Sequence, residues 1–370
     1  MKRNYLTPIV PNNQVPGDAV ATNCSTDSIA KVVREYEGVR RKHAIGEMVK
    51  ALRIEAPHVV AAFGEDAAVI GHGSEALLLA ADGIWSRLME ADPYWAGYCS
   101  VLVNIHDIAA MGGHPVAMVD IFSMAKGTVM EKVVKGMHDA SEQFGVPIVG
   151  GHLHPDAPYS VIDVAILGCA RLDAIIYSST AQAGDAVVAA IDLDGRVHPS
   201  CMLNWDSVTM KPASVVRAQI ALLEEIGKKH LVTAGKDISN PGLIGTLGML
   251  LEVSGKGADI DLAKIPKPDL SKNNISFDLW VRMYPGMGFI LTAKKADVDE
   301  LVRMFAGVGM TAREIGTVTD SRELRIHYEG KDTQVFDFVG NGIMHIGQED
   351  IACQAPGSRS GSGSKKTRKK

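Results

Sequence analysis

The sequence predicts a mixed α/β (α+β) protein of two domains, and three observations carry that expectation. A chain of 370 residues has room for about two to three domains. Short apolar runs of strand type alternate with helical patterns along most of its length. The alternation breaks at 174–184, where Ser178, Ser179 and Thr180 interrupt it before a new apolar run starts at Ala186. With 46% hydrophobic and 22% charged residues, the composition is that of a globular protein with material for two cores.

Residues 1–27 are rich in Pro, Asn, Asp and Thr without periodicity, which predicts a loose arm. A helical pattern runs over 28–52, broken near Gly38, and Arg40, Arg41 and Lys42 precede its second half. Short strands are expected at 67–70 and 77–81. Asp92-Pro93 opens a helix as N-cap and first helical residue, and Gly112-Gly113 followed by Pro115 ends it. A strand at 116–122, a helix at 128–144, a strand at 146–149 ending in Gly150-Gly151-His152, and a strand at 161–169 complete the first half. The second half reads as a strand at 186–193, a helix at 213–227, a helix opened by Asn240-Pro241 and closed by Gly255, and strands at 288–293, 314–318 and 324–328 with a helix at 296–305. The expected division is an arm and helix over 1–37, an N-terminal domain over 38–175, a C-terminal domain over 176–352 and a disordered basic tail over 353–370.

Charge and cysteine usage exclude several classes. The net charge of −5 becomes −11 once the six cations after Gly357 are set aside. An acidic body is unsuited to general nucleic-acid binding, although the tail could dock an acidic partner. Cys24, Cys99, Cys169, Cys201 and Cys353 are scattered without a C-x-x-C pair, which argues against a disulfide framework or a structural zinc site. Cys99 and Cys169 lie in apolar runs and are expected to be buried, inert thiols. No apolar stretch reaches the ~18 residues of a membrane span, and no signal core follows Met1, so a cytoplasmic location is expected. No Walker A loop, dinucleotide-binding G-x-G-x-x-G or G-x-S-x-G elbow is present.

Four carboxylates stand at the ends of apolar runs: Asp66, Asp82, Asp107 and Asp237. Acids repel polyphosphate unless divalent cations lie between them, and magnesium is commonly held by carboxylates, waters and substrate phosphates. Converging, the four would form a magnesium site for ATP. Ser100, Asn104 and Asp107 are spaced i, i+4, i+7 and share a helix face. That helix is apolar enough to be buried, so Asp107 needs a cation, a basic side chain or backbone N–H groups. A satisfied polar stripe at an interface is the alternative. Asp237 precedes a helix N-terminus, a natural anion site, but it or Asn240 also suits helix capping. Asp66 and Asp82 also suit turns. Gly150-Gly151-His152 would let backbone approach phosphate, and Lys42 would bind a terminal phosphate or merely belong to a solvated face.

The order Gly64-Glu65-Asp66-Ala67-Ala68-Val69, Ala80-Ala81-Asp82-Gly83, Asn104-Ile105-His106-Asp107-Ile108-Ala109-Ala110-Met111-Gly112-Gly113, Gly150-Gly151-His152 and Asp237-Ile238-Ser239 resembles the aminoimidazole ribonucleotide (AIR) synthase superfamily. This group includes selenophosphate synthetase, thiamine monophosphate kinase, formylglycinamidine ribonucleotide synthase and the hydrogenase maturation dehydratase. The likeness covers roughly 38–347. Segments such as Glu90-Ala91-Asp92-Pro93-Tyr94-Trp95 and Met283-Tyr284-Pro285-Gly286-Met287-Gly288-Phe289 are similar to its methanogen-restricted branch, methanogenesis marker protein 2.

The resemblance implies an AIR synthase-like fold of two domains, the N-terminal one ATP-binding, with ATP lying between subunits or domains and two N-terminal sheets joined in a dimeric β-barrel. It implies Asp66, Asp107 and Asp237 as magnesium carboxylates, Asp82 and Asn104 as their phosphate and metal neighbours, and Lys42 as a phosphate contact. Val39 stands where selenophosphate synthetase has Cys or selenocysteine, which counts against selenide chemistry. Glu65-Asp66 replaces the paired Asp-Asp of thiamine monophosphate kinase. The expectation is therefore a Mg2+- and ATP-dependent homodimeric enzyme that activates an unidentified substrate's oxygen, with Lys42 and Asp237 catalytic, in the setting of methanogenesis. The alternatives are a nucleotide-binding maturation scaffold and a small-molecule kinase.

Overall fold

The computed structural model describes residues 25–52, 56–127 and 129–351. The arm through residue 24 and the tail over 353–370 lie outside the described residues. The first part contains α1 (Thr26–Glu35), α2 (Glu37–Arg40), a 3-10 turn (Arg41–Ala44) and α3 (Ile45–Leu52). It continues through β1 (Val59–Ala61), β2 (Ala68–His72), β3 (Glu75–Ile84), α4 (Ser86–Ala91), α5 (Pro93–Ala110), β4 (His114–Ser123), α6 (Met130–Phe144), β5 (Ile148–His154) and β6 (Val161–Arg171). The second part has β7 (Ala186–Ile191), β8 (Arg196–His198), β9 (Cys201–Asp206), α7 (Ala213–Lys228), β10 (Ala234–Asp237), α8 (Gly242–Ser254) and β11 (Gly257–Asp261). Then come α9 (Phe277–Trp280), β12 (Tyr284–Pro285), β13 (Gly288–Ala293), α10 (Val298–Gly307), β14 (Thr311–Thr319), β15 (Glu323–Tyr328), β16 (Lys331–Asp337) and α11 (Gln348–Ile351).

A six-stranded sheet has the order β1-β2-β3-β6-β4-β5, and a seven-stranded sheet the order β10-β13-β7-β14-β11-β15-β16. β8, β9 and β12 form a small third sheet. Only β4–β5 in the first sheet and β11–β15 in the second pair in parallel. The architecture is mixed α/β in two units, as the sequence predicts.

The two large sheets differ in how they are covered. In β7 every residue is buried, because Ala186, Val188 and Ala190 enter one core while Val187, Ala189 and Ile191 enter another. A strand packed on both faces reads as a continuous apolar run, which is why its sequence lacks alternation. β3 instead alternates through most of its length. Its inward residues Ala76, Leu78 and Ala80 share a core with α5, α6, α7 and one face of the second sheet. The other core lies between the opposite face of that sheet and helices α1 and α8.

Helix α5 is the element both units share. The Asp92 carboxylate caps it by accepting from Trp95 N–H at 3.1 Å, with Pro93 at the first helical position. Left-handed backbone at Gly112 (φ +70°) turns the chain out of it. Gly97 lets α6 approach closely: a Cβ there would stand 2.0 Å from Val133 O. On the far side, the Glu252 carboxylate of α8 accepts from the N–H groups of Ile343, Met344 and His345 at 2.7–2.9 Å. Gly46 N–H donates to Met344 O at 2.8 Å. These bonds tie residues 343–345 to α8 and α3, and a 3.0 Å contact between His43 Nδ1 and Ile343 O ties them to the basic turn before α3.

Several expected boundaries move. The helical pattern over 28–52 is cut at Tyr36, whose extended backbone ends α1, and the basic run forms the 3-10 turn. β3 runs past Asp82 to Ile84, so Asp82 does not end a strand. Gly150, Gly151 and His152 lie inside β5 and do not end it. Cys99 is buried, but Cys169 is only partly so.

Gly97→Ala should lower stability by about 1–3 kcal/mol, the usual cost of overpacking a close contact. Urea unfolding measures this, and an unchanged midpoint would contradict the α5–α6 approach.

Candidate active site

The two units enclose a cavity of about 1490 Å3. Asp66, Asp107 and Asp237 converge in its wall, each offering an oxygen within 4.8 Å of the others. They come from three elements: the turn before β2, the buried face of α5, and the last residue of β10. Asp66 is oriented by β10. Its carboxylate is ion-paired with the Lys236 ammonium group and accepts from Asp237 N–H at 3.4 Å. The neighbouring Glu65 carboxylate accepts from Ser178 N–H and, at 2.6 Å, from the Ser179 hydroxyl. Ser178 Oγ donates to Gly235 O at 3.0 Å. Glu65 thus fastens the turn carrying Asp66 to the segment that runs beside β10.

Burial and repulsion between carboxylates raise the proton affinity of Asp107 and Asp237. Burial pushes the Asp107 carboxyl well up, and the charges of Asp82 and Asp237 add to that. Burial likewise pushes Asp237 up to about 6, with Lys236 opposing it. Asp82 has an exposed surface, yet crowding by protein at the cavity wall raises its carboxyl, and Lys42 lowers it. Burial lowers Lys236, and Asp237 counters this. Three hard oxygen donors in an electron-rich, partly enclosed cluster are the donor set that suits Mg2+, Ca2+ or Mn2+.

Sequence reasoning named nine residues, and the structure distributes them unevenly. Asp66, Asp107 and Asp237 meet. Asp82 and Lys42 line the same cavity, but Asp82 stands outside the trio because β3 continues through it. Asn104 does not face the cavity. Its Oδ1 accepts from Asp82 N–H at 3.2 Å and its Nδ2 donates to Ser100 O at 2.8 Å, so its amide is spent joining α5 to β3. Gly150, Gly151 and His152 lie on the opposite edge strand of the sheet, away from the cavity of this chain. Neither Asp237 nor Asn240 caps α8, since Pro241 occupies the N-cap without a side-chain bond.

Lys236 and Glu65 are site residues to which the sequence pattern assigns no role. Lys236 stands between Gly235 and Asp237, and nothing in that local pattern marks it as buried; buried, it needs a charged partner, which Asp66 supplies. His106 also lines the cavity. Its Nε2 is buried without a hydrogen-bond partner, and burial lowers its pKa to about 4.

Two family models match the chain: the AIR synthase related protein N-terminal domain over residues 64–170 and its C-terminal domain over 182–329. The chain belongs to the AIR synthase related family. An uncharacterised protein of Methanocaldococcus jannaschii is 47% identical over 315 residues, covering 84% of this chain and 96% of that protein. A selenide, water dikinase of Carboxydothermus hydrogenoformans is 23% identical, covering 70% of this chain and 84% of that enzyme. Among solved structures, T. maritima PurL complexed with ATP superposes with a TM-score of 0.69 at 17% identity, covering 88% of this chain. The chain spans about half of that PurL, 53% of its length, so this match speaks to the AIR synthase-like fold alone. Among the described residues, no helix is long and apolar enough to cross a membrane.

The proton affinities fix the sign of a pH effect. Without a cation, folded Asp237 holds its proton up to about pH 6, against 3.8 for the ordinary carboxyl, and Asp107 shifts the same way. Between these values the folded chain binds more protons than the unfolded one, so the cluster's contribution to stability falls as pH rises. In EDTA, Asp237→Asn should therefore flatten the decline in melting temperature between pH 4 and 7. Addition of Mg2+ at pH 7 should raise the wild-type melting temperature. A variant with an undiminished pH slope would contradict the assigned cause.

Proposed function

We propose that the chain is a magnesium-dependent, ATP-using enzyme that activates a substrate oxygen by phosphoryl transfer. The observation that carries this reading is the meeting of Asp66, Asp107 and Asp237 beside Lys42 in one cavity. It is supported by membership of a family whose similar proteins include a dikinase and a PurL solved with ATP. On the resemblance described above, its setting is methanogenesis, in the maturation of an enzyme or cofactor.

Asp66, Asp107 and Asp237 would hold the cation, which supplies charge neutralisation to the polyphosphate when bound. Asp107 and Asp237 come from opposite units, so the cluster fixes the units' relative position as well as the ligand. Lys42 projects from a turn braced by the chain's end and would hold the terminal phosphate. Asp82 lies next to it, with its backbone held by Asn104. No proton has to be removed from an ionised carboxylate acceptor, so positioning and charge screening suffice. The kinase alternative is less favoured, because Glu65 is already bound to Ser178 and Ser179 where thiamine monophosphate kinase has a second aspartate.

We also propose that the working unit is a homodimer. Leu79 is 47% exposed and Ile121 49%. With Leu77, Val119 and Leu167 they form an apolar outer face on the six-stranded sheet. Exposed apolar faces of this kind mark interaction surfaces. Gly150 and His152 pair with Val119 and Ile121 across β4 and β5, so they border this face. Any contact they make with nucleotide would then be with a ligand on the partner subunit.

Two measurements test the reading. Asp107→Asn should weaken Mg-ATP binding in calorimetry by at least the ~10–100-fold typical of disturbing a metal ligand's neighbours, with far-UV circular dichroism unchanged. Equal affinity would remove Asp107 from the site. Ile121→Glu should convert a dimer to a monomer in sedimentation, and a dimer that survives the substitution would place the interface elsewhere.

A further inference from the structure

The cavity holding the acid cluster is larger than one ligand requires. It measures about 1490 Å3, whereas small-molecule sites typically measure roughly 300–1000 Å3. Its wall also changes character. Beyond the acids it is lined by Tyr36, Trp85, Tyr284, Cys201 and Asn204. Trp85 follows β3 of the first unit, while Cys201, Asn204 and Tyr284 belong to the small third sheet of the second.

Arg41 and Lys42 are consecutive in the 3-10 turn and stand between the two regions. The Lys42 charge acts on Asp82, Asp107 and Asp237. Arg41 acts on Asp82 to one side and is felt by Tyr36 to the other. Its guanidinium carbon lies over the Trp85 ring, 3.7 Å from the centroid; the charges of Glu37 and Asp82 act on it, but no carboxylate among the described residues forms an ion pair with it. Burial pushes the phenols of Tyr36 and Tyr284 up, so both remain neutral at physiological pH.

The geometry points to a second subsite at the aromatic end, built for a planar conjugated carboxylate whose ring lies among Tyr36, Trp85 and Tyr284 and whose carboxylate faces Arg41. A guanidinium resting on an indole still has a fork of donors to offer a planar carboxylate. Aromatic walls favour an aromatic or conjugated body over a saturated one. The inference rests on the proposed ATP site and names its acceptor class. With the terminal phosphate at Lys42, the carboxylate at Arg41 lies next to it. One carboxylate oxygen forms a bond to the γ-phosphorus, and the bond from that phosphorus to the β–γ bridging oxygen breaks. The electron pair leaves with ADP, and an acyl phosphate forms with total charge unchanged and no proton transferred.

The experiment uses the full chain and calorimetry with benzoate, nicotinate and 2-naphthoate, against cyclohexanecarboxylate as the saturated control. At least one planar acid should bind tenfold or more tightly than the control. Arg41→Met and Trp85→Leu should each weaken that binding at least tenfold with the melting temperature retained. Saturating Mg2+ with a non-hydrolysable ATP analogue should leave the acid's affinity unchanged or improved. Planar and saturated acids of equal affinity would overturn the inference. So would displacement of the acid by the Mg-analogue but not by Mg-tripolyphosphate, since the aromatic end would then hold the nucleotide's base. The acid is measured with and without nucleotide, so failure of wild-type Mg-ATP binding would count against the ATP reading separately.

Discussion

Three like charges confined in one cavity are the constraint around which the rest of the molecule is arranged. Left alone, Asp66, Asp107 and Asp237 would move apart or take up protons, and the raised affinities of Asp107 and Asp237 show the second tendency. The fold opposes the first tendency with anchors that are not themselves ligands. Glu65 is bound to Ser178 and Ser179, Ser178 to Gly235, and Asp66 to Lys236. The Glu65 and Asp66 anchors join the first unit to the second, and the Ser178 bond to Gly235 braces the second unit's side of that joint. The cluster is therefore a junction as well as a pocket, and a cation placed there would stabilise both.

The same demand explains the asymmetry of the two sheets. The seven-stranded sheet is covered on both faces and provides a fixed wall, from which β10 delivers Asp237. The six-stranded sheet is covered on one face, by α5, which reaches from beneath β3 and β6 to β10. α5 must be rigid at Asp107, and close packing on Gly97 together with the Asn104 link to Asp82 makes it so. The uncovered face of that sheet is apolar, and closing it against a second copy would remove hydrophobic surface from water without disturbing the cluster.

Much of this was legible in the sequence, for identifiable reasons. Long apolar-periodic elements such as α5 and α7, and continuous runs such as β7, declare themselves by pattern. β10 does not: its four residues, Ala234 to Asp237, include a glycine and two charges, and they become a strand only because β13 accepts them. β16 is likewise polar on its exposed side. At the site, the acids could be read because carboxylates at the ends of apolar runs are conspicuous. The bonds of Asn104 to Asp82 and Ser100 could not be read, because spacing on a helix face cannot tell a residue that faces the cavity from one that faces a neighbouring strand. The place of Gly150, Gly151 and His152 depends on strand order, with β5 at the far edge, and no local pattern reports strand order.

The cavity's own side chains also bear on how phosphoryl transfer would proceed. Cys99 and Cys201 line it, but burial pushes both thiols up, and the thiolate rather than the thiol is the nucleophile. His106 is neutral, since its pKa is lowered to about 4, and it lies one residue before a carboxylate that repulsion already disfavours as an anion. A covalent intermediate on either thiol would therefore have to form on a group the site keeps protonated. Direct transfer asks only that donor and acceptor be held in line between fixed charges. On the proposed reading, Lys42 and Arg41, adjacent in one braced turn and both acting on Asp82, would hold one reactant each, side by side.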